Sequence, residues 1–414
     1  MTQPLKILFL TLIVCQAALA QRGADGKTFS ARKAQYLDSL PAGASAMGAL
    51  PDEEKRLYLF GWLEKGIYND VVSETIRHIM NDRWLIGARA HQGYMIVIPL
   101  RYGPTRGNSL ISQADEDLIL NRLAQSVDKG EFFGNLNPNK NMWALVGVYL
   151  YSHFYDRNAE IQPYGYSDGT SSNSVLRRNW PDFSFNGHSY EHGSSRRYNA
   201  EQFAKDMLEF RFQDWYVEGN REFDGLNYMS HFTLSALVLY SEGPDNVLTK
   251  KAKMAAELSM LDAVLDFGNS EWGGTLGRTD FKRTELNAIY PFHEYWGLSV
   301  PNESRPETKL PYALNYSPPG AIVAAGVISD EPDDYFHWHM ENHDATLKHD
   351  SDKGKWNFVT KNYNIGGNLG QANQGWQVTV KGSAPHKFIR FWINDQASDP
   401  PDKDEQGYLG KNGR

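Results

Sequence analysis

GNREFDGLNYMSHFTLSALVLY, residues 219–240, is the stretch on which the reading of this chain turns. At about 3.6 residues per turn, Asn220, Asp224, Asn227 and His231 fall within one narrow arc of a helix. Met229, Phe232, Ala236, Leu237 and Tyr240 fall largely on the other side. The spacing predicts an amphipathic helix whose polar face carries neutral hydrogen-bonding groups and a histidine in place of Lys and Glu. A solvated face is usually built from Lys and Glu, whereas a face lining a polar cavity has this composition. The competing reading is a surface helix with an Asn-rich start.

The N-terminus reads as an export signal, residues 1–20. Lys6 supplies the positive start, Ile7 to Val14 are almost wholly apolar, and Ala18-Leu19-Ala20 forms a small-residue cleavage site. The apolar run is too short to span a bilayer. Cys15 is the only cysteine of the chain and lies inside this segment. Val14 is larger than the residue a lipoprotein signal needs before its cysteine, which favours ordinary cleavage after Ala20. A mature chain without cysteine has no disulfides, which fits a bacterial periplasm or medium better than an animal secretion. The expected location is therefore secreted or periplasmic.

The 414 residues carry a net charge of −8 with no long basic or acidic block, which argues against nucleic acid as the main partner. Aromatic residues make up 13% of the chain, with 11 Trp and 22 Tyr. Sugar rings stack on such side chains and their hydroxyls need planar hydrogen-bonding partners, so the composition suits a carbohydrate ligand. A large aromatic core gives the same count.

Helical periodicity dominates up to about residue 300. Glu54–Leu63, Val71–Met80, Glu116–Val127, Met142–Tyr155, Ala200–Trp215, Leu226–Tyr240 and Leu248–Phe267 read as helices joined by loops rich in Gly, Asn and Pro. The longest loop, Gln162–Asn199, holds Tyr164, Tyr166, Trp180, His188, Tyr190, His192, Arg196 and Arg197, an aromatic and basic content that favours function over disorder. Beyond residue 300 the pattern turns to β, with an apolar run at Ala321–Ile328 and alternating segments at Lys355–Thr360, Trp376–Lys381 and Lys387–Asn394. No transmembrane helix and no repeat is evident. The expected fold class is α+β with several domains. Residues 21–305 would form an incomplete α/α toroid of helical hairpins, and residues 306–414 the start of an antiparallel β-sandwich that the chain ends too early to close.

Four clusters compete as chemical sites. Besides the Asn/His helix there is a glycine-rich loop, Trp272 to Arg283, in which Arg278 and Arg283 could each hold a carboxylate bidentately; surface arginines are the alternative. It lacks the Lys-Ser/Thr ending of a phosphate-binding loop. Tyr290 to Trp296 places Tyr290, His293, Tyr295 and Trp296 within seven residues, either as a site or as an aromatic core plug. On a strand, His337, His339, Glu341 and His343 would share a face, which makes a metal conceivable, although polar packing is the preferred reading and no metal is assigned. Asp214, Glu218, Glu222, Asp224 and Glu271 are available for a carboxylate pair, with no spacing that singles one out. A nucleophile elbow is absent.

Three places in the chain resemble the exported polysaccharide lyases built on an α/α toroid with a C-terminal β-sandwich, the alginate, glucuronan and heparinase-like group. Glu222 to His231 looks like their inner-helix motif, Gly273 to Thr279 like their Gly-Arg loop, and Trp356 to Gly367 like an opening strand pair of their sandwich. The resemblance implies cleavage of a uronate-containing polysaccharide, alginate or glucuronan-like, by β-elimination without a cofactor. Its partner would be the acidic polysaccharide itself, with no membrane span. Removing the C5 proton of a uronate drives negative charge onto its carboxylate, so the site needs preorganised donors there. Asn227 and Arg278 fit that task, and His231 and Tyr290 are the base and acid, in either order. Tyr ionises near pH 10 and needs a cation such as Arg278 or Arg283 beside it to act as a base. Glu222, Tyr228, Arg283, His293, Trp272, Tyr166 and His188 complete the expected substrate-binding set. Two other classes stay open: a glycoside hydrolase using a carboxylate pair on a helical toroid, and a non-catalytic glycan-binding protein.

Overall fold

The structure is a computed structural model that describes residues 22–81, 89–129, 138–161, 183–191, 196–218, 226–268, 271–272, 290–298, 306–328, 335–341, 353–360, 363–369, 375–380, 387–392 and 408–409. It is helix-rich, with small antiparallel sheets. The helices in chain order are α1 Phe29–Ser39, α2 Ala44–Gly48, α3 Asp52–Glu64, α4 Asp70–Asn81, α5 Val97–Tyr102, α6 Gln113–Lys129, α7 Pro138–Phe154, α8 Ala200–Glu218, α9 Leu226–Glu242, α10 Asn246–Asp266, α11 Tyr290–Trp296 and α12 Gly320–Ile328. Each helix anticipated from apolar spacing is present. Among the described residues no helix is long and apolar enough to cross a membrane. The export signal at residues 1–20 lies outside the described residues.

Side-chain caps set several of these helix starts. Thr28 Oγ1 accepts from Ala31 N (3.2 Å), Ser112 Oγ from Asp115 N (3.2 Å) and Asn199 Oδ1 from Gln202 N (3.0 Å). Asn69 Oδ1 takes Val71 N and Val72 N, and Asp245 Oδ1 takes Val247 N and Leu248 N. Each such cap satisfies N–H groups that have no partner inside the helix, and is worth about 1 kcal/mol. Asp52, Glu53 and Glu54 place negative charge in the first turn of α3, where the helix dipole favours it.

The centre of the helical body is a cluster of α7, α8, α9 and α10. Helix α9 is its axis: every residue from Met229 to Leu239 is buried. This corrects the amphipathic reading of residues 226–240. The neutral polar residues do not form a wet face; Thr233 donates to Ser259 of α10 (2.8 Å) and Ser235 to the Phe232 carbonyl (2.8 Å). Hydroxyls satisfied in this way can be buried at little cost, and the rest of the helix is apolar enough to be enclosed. Residues 219–225, which carry the remainder of the anticipated polar arc, lie outside the described residues.

Ala321–Ile328 is a second correction. Read as part of the β region, it is helix α12. An apolar run this short does not distinguish strand from helix, and its alanines favour helix. Tertiary packing decides it: α12 lies against α10 and α11, and Gly326 backs directly onto the Trp296 ring, leaving no room for a side chain. The 3₁₀ segment Pro306–Ala313 packs on α3 and α11.

The short strands β1 Glu160–Ile161 and β4 Tyr198–Asn199 pair with each other, as do β2 Phe183–Phe185 with β3 His188–Tyr190 and β5 Phe267–Gly268 with β6 Glu271–Trp272. The C-terminal part forms one six-stranded sheet. Its strands β7 Tyr335–Glu341, β8 Lys353–Val359, β9 Tyr363–Leu369, β10 Gly375–Val380 and β11 Lys387–Trp392 run as an antiparallel meander. Strand β12, Tyr408–Leu409, adds parallel to β11.

Candidate functional site

His231 sits in the second turn of α9 and is 4% exposed. Its Nδ1 accepts a hydrogen bond from Trp143 Nε1 of α7 at 3.2 Å. An indole nitrogen only donates, so the bond requires an imidazole with a bare Nδ1. The neutral ring held this way carries its proton on Nε2. Trp143 is itself fixed by an edge-on contact with Tyr94 (centroids 5.7 Å) and by an unusually close backbone approach. Gly93 lies against the Trp143 carbonyl, where a Cβ would overlap it, and a Cβ on Gly147 would come within 3.2 Å of the Gly93 Cα. Next along α9, Phe232 stacks on Trp215 of α8 at 4.3 Å.

Helices α10 and α11 pack on this helix. Asn227 and Tyr228 stand in the first turn of α9. Helix α10 runs along α9 and leads into the β5–β6 hairpin that carries Trp272. Tyr290 opens α11, which also packs on α9. In α11 Phe292, His293, Tyr295 and Trp296 are all buried, so this cluster builds core. Arg32 of α1 fixes the end of α11: its guanidinium donates to the carbonyls of Glu294 (2.9 Å) and Tyr295 (2.7 Å) and pairs with Asp25 (2.9 Å). A buried cation on the last carbonyls of a helix satisfies orphan acceptors and complements the dipole. The Glu294 carboxylate in turn accepts from Lys309 and Tyr312. Nothing in the sequence marks Arg32, because its partners are backbone atoms more than 260 residues away.

Tyr166, Glu222, Arg278 and Arg283 lie outside the described residues. His188 is placed elsewhere, on the β2–β3 hairpin. That hairpin turns at Asn186-Gly187 with φ of 50° and 81°, the left-handed pair a tight two-residue turn requires, and an Asn-Gly dipeptide is its sequence signal. The turn presents His188 to α8, where Nδ1 lies 2.8 Å from Asp206 Oδ2. Asp206 is fully buried and also accepts from Tyr190 Oη (2.5 Å), Gln202 Nε2 (3.0 Å) and Asn186 Nδ2 (3.4 Å). An ionised carboxylate only accepts, so His188 donates from Nδ1 and turns Nε2 outward. Burial, and then the bond to Asp206, hold the Tyr190 phenol well above its usual range. Sequence reading did not pick out Asp206, which looks like an ordinary helix acid until its four partners, three of them on the β2–β3 hairpin, are visible.

The histidine run is on β7. His337, His339 and Glu341 alternate along it, and the register sets Asn357, Lys355 and Lys353 of β8 opposite them. His343 lies outside the described residues. Among the described residues no three of His, Cys, Asp and Glu converge as a metal-binding group. Comparison with protein-family models, with curated proteins and with solved structures gives no match for this chain.

Proposed function

We propose that the protein is an exported polysaccharide lyase that cleaves a uronate-containing polymer, alginate or glucuronan-like, by β-elimination. One observation supports the reading: α9, with Asn227 and His231, packs both on α10, which leads into the hairpin with Trp272, and on α11, which opens with Tyr290. The export signal read in residues 1–20 supports an extracellular or periplasmic location, where such polymers are met. The finer architecture belongs to the same proposal: an α/α toroid of helical hairpins, with the meander sheet as part of a β-sandwich.

The Trp143–His231 bond divides the roles. With its Nδ1 lone pair engaged, neutral His231 has an N–H to give, not a lone pair to accept a proton. His231 is therefore a hydrogen-bond donor toward the departing O4, while Tyr290 is the base toward the C5 proton and returns that proton to O4 from the same face of the ring. The base removes that proton, the C–H electrons form the C4=C5 bond, the C4–O4 bond breaks, and O4 leaves protonated. Asn227 and Arg278 stabilise the charge that develops on the uronate carboxylate. Arg278 or Arg283 favours the phenolate of Tyr290.

The test is the ultraviolet absorbance of the new conjugated double bond, with the full chain on alginate, glucuronan, pectate, hyaluronan and heparin. A rise on one polymer that falls by about 10²–10⁴-fold in Tyr290→Phe is expected, the usual range for losing a general acid or base. Reducing ends appearing with no absorbance would instead establish hydrolysis, and turnover in neither assay, with polymer bound, would leave a glycan-binding protein.

A further inference from the structure

The cluster of α7–α10 has a second polar end, away from His231. The C-terminal ends of α7 and α9 meet the N-terminal ends of α8 and α10 there. Between them lies a cleft of about 400 Å³, within the range of small-molecule sites. Its walls include Tyr149, His153, Glu201, Gln202, Lys205 and Asp245. Two polar contacts frame it, a hydrogen bond between His153 Nδ1 and Glu201 Oε1 and an ion pair between Lys205 Nζ and Asp245 Oδ2, both 2.6 Å.

The geometry points to a binding site for a neutral, hydroxyl-rich sugar unit in this cleft, and to exclusion of an acidic one. The atoms left over after the internal bonds decide the ligand class. Glu201 uses one carboxylate oxygen on His153, and Gln202 spends its amide nitrogen on Asp206. Their remaining oxygens are acceptors, which call for hydroxyl donors. The Lys205 ammonium has N–H groups beyond the one given to Asp245, and the Tyr149 hydroxyl adds a group that can donate or accept. The helix N-termini are closed by their own caps, Asn199 and Asp245, so they offer no anion site.

The field in the cleft runs against a carboxylate. The Tyr149 phenol is held well above its usual range, first by burial and then by Asp245, Glu201 and Glu209. Lys205 and Lys251 are each engaged by one of these acids. A uronate placed here would face the Glu201 and Asp245 carboxylates, with Lys205 already committed to Asp245, and like-charge juxtaposition is strongly selected against. This site stands independently of the elimination reading, since a neutral sugar has no carboxylate to support that chemistry.

The experiment is saturation-transfer NMR on the full chain with methyl glycosides of glucose, galactose and mannose, and with glucuronate, each titrated to a dissociation constant. At least one neutral glycoside should bind in the millimolar range expected of a single sugar ring, with glucuronate roughly tenfold weaker or more. Glu201→Gln, which keeps the shape and removes a charge, should narrow that gap to about threefold or less. Its fold is checked by circular dichroism. No binding by any neutral glycoside, equal or tighter binding of glucuronate, or a gap that Glu201→Gln leaves intact would each overturn the proposal. Absorbance on polymer, measured in the same Glu201→Gln variant, keeps the two readings apart: elimination can fail while the neutral sugar binds, and the reverse.

Discussion

The two ends of the α7–α10 cluster hold histidines of opposite character. At one end His231 is enclosed, and its Nδ1 accepts from an indole. At the other, His188 is about half exposed and its Nδ1 donates to a carboxylate. From His231 to the end of α9 is roughly 16 Å along the helix axis. Over that distance the surroundings change from aromatic contacts to ion pairs. The same side chain is thus set as a hydrogen-bond donor in a dry site and as an outward-facing acceptor at a wet one. What sets it is the partner on Nδ1, and sequence spacing does not show that partner.

The dry end depends on close packing, so the largest structural effect is expected from Gly93→Ala. The added methyl has backbone, not a flexible side chain, in its way, and α7 must shift. We expect a loss of about 3 kcal/mol in denaturant unfolding, at the upper end of ordinary overpacking. A variant as stable as the parent would show that α7 and the 89–96 segment are not locked backbone to backbone. Trp143→Phe keeps most of the packing but removes the donor to His231. It should destabilise by about 2 kcal/mol through the lost bond and the unpaired ring nitrogen. It should also lower turnover more than it changes KM, because the tautomer is no longer fixed. A change in KM alone would count against a role for this bond in catalysis.

At the wet end the effects are smaller. Asp206→Asn retains shape but weakens four bonds at once. A loss of about 1–2 kcal/mol is expected, together with faster hydrogen exchange of the β2–β3 hairpin. Unchanged exchange would mean that the hairpin is held by something other than Asp206. Asp245→Ala removes the α10 cap and should destabilise by about 1 kcal/mol. The Asp245 carboxyl is held below its usual range, chiefly by the Lys205 hydrogen bond and then by the Leu248 N–H. A depressed folded-state value means that this stabilisation is complete above the unfolded pKa of about 3.9 and is lost as pH falls through the folded value. Tm should therefore drop on acidification below about pH 4, less steeply in Asp245→Ala than in the parent. Parallel slopes would remove Asp245 from the acid response.

Much of the helical body was legible because apolar spacing near 3.6 records which residues turn inward. Strands β8, β10 and β11 were legible by alternation. What spacing records is a face, and what meets that face is a matter of tertiary structure. His231 was read on a polar face lining a cavity, yet in the structure it lies in an enclosed stretch of helix together with Ser230, Thr233 and Ser235, and Thr233 is satisfied by a hydroxyl on α10. Residues 320–328 looked like strand because a short apolar run has no period of its own. Some missed features did have local signals: Asn186-Gly187 for the hairpin, and Asn199 and Asp245 for the caps. Arg32, Asp206 and Trp143 had none, since each acts through partners distant in the chain.

One paired assay addresses the central claim that the chemistry belongs to the His231 end. Absorbance of the elimination product is followed for the parent, His231→Gln and Glu201→Gln on the same uronate polymer, with folding verified for each. The account predicts a loss of about 10²-fold or more in His231→Gln and a parent-like rate in Glu201→Gln. Full activity in a folded His231→Gln, or its disappearance in Glu201→Gln, would contradict it.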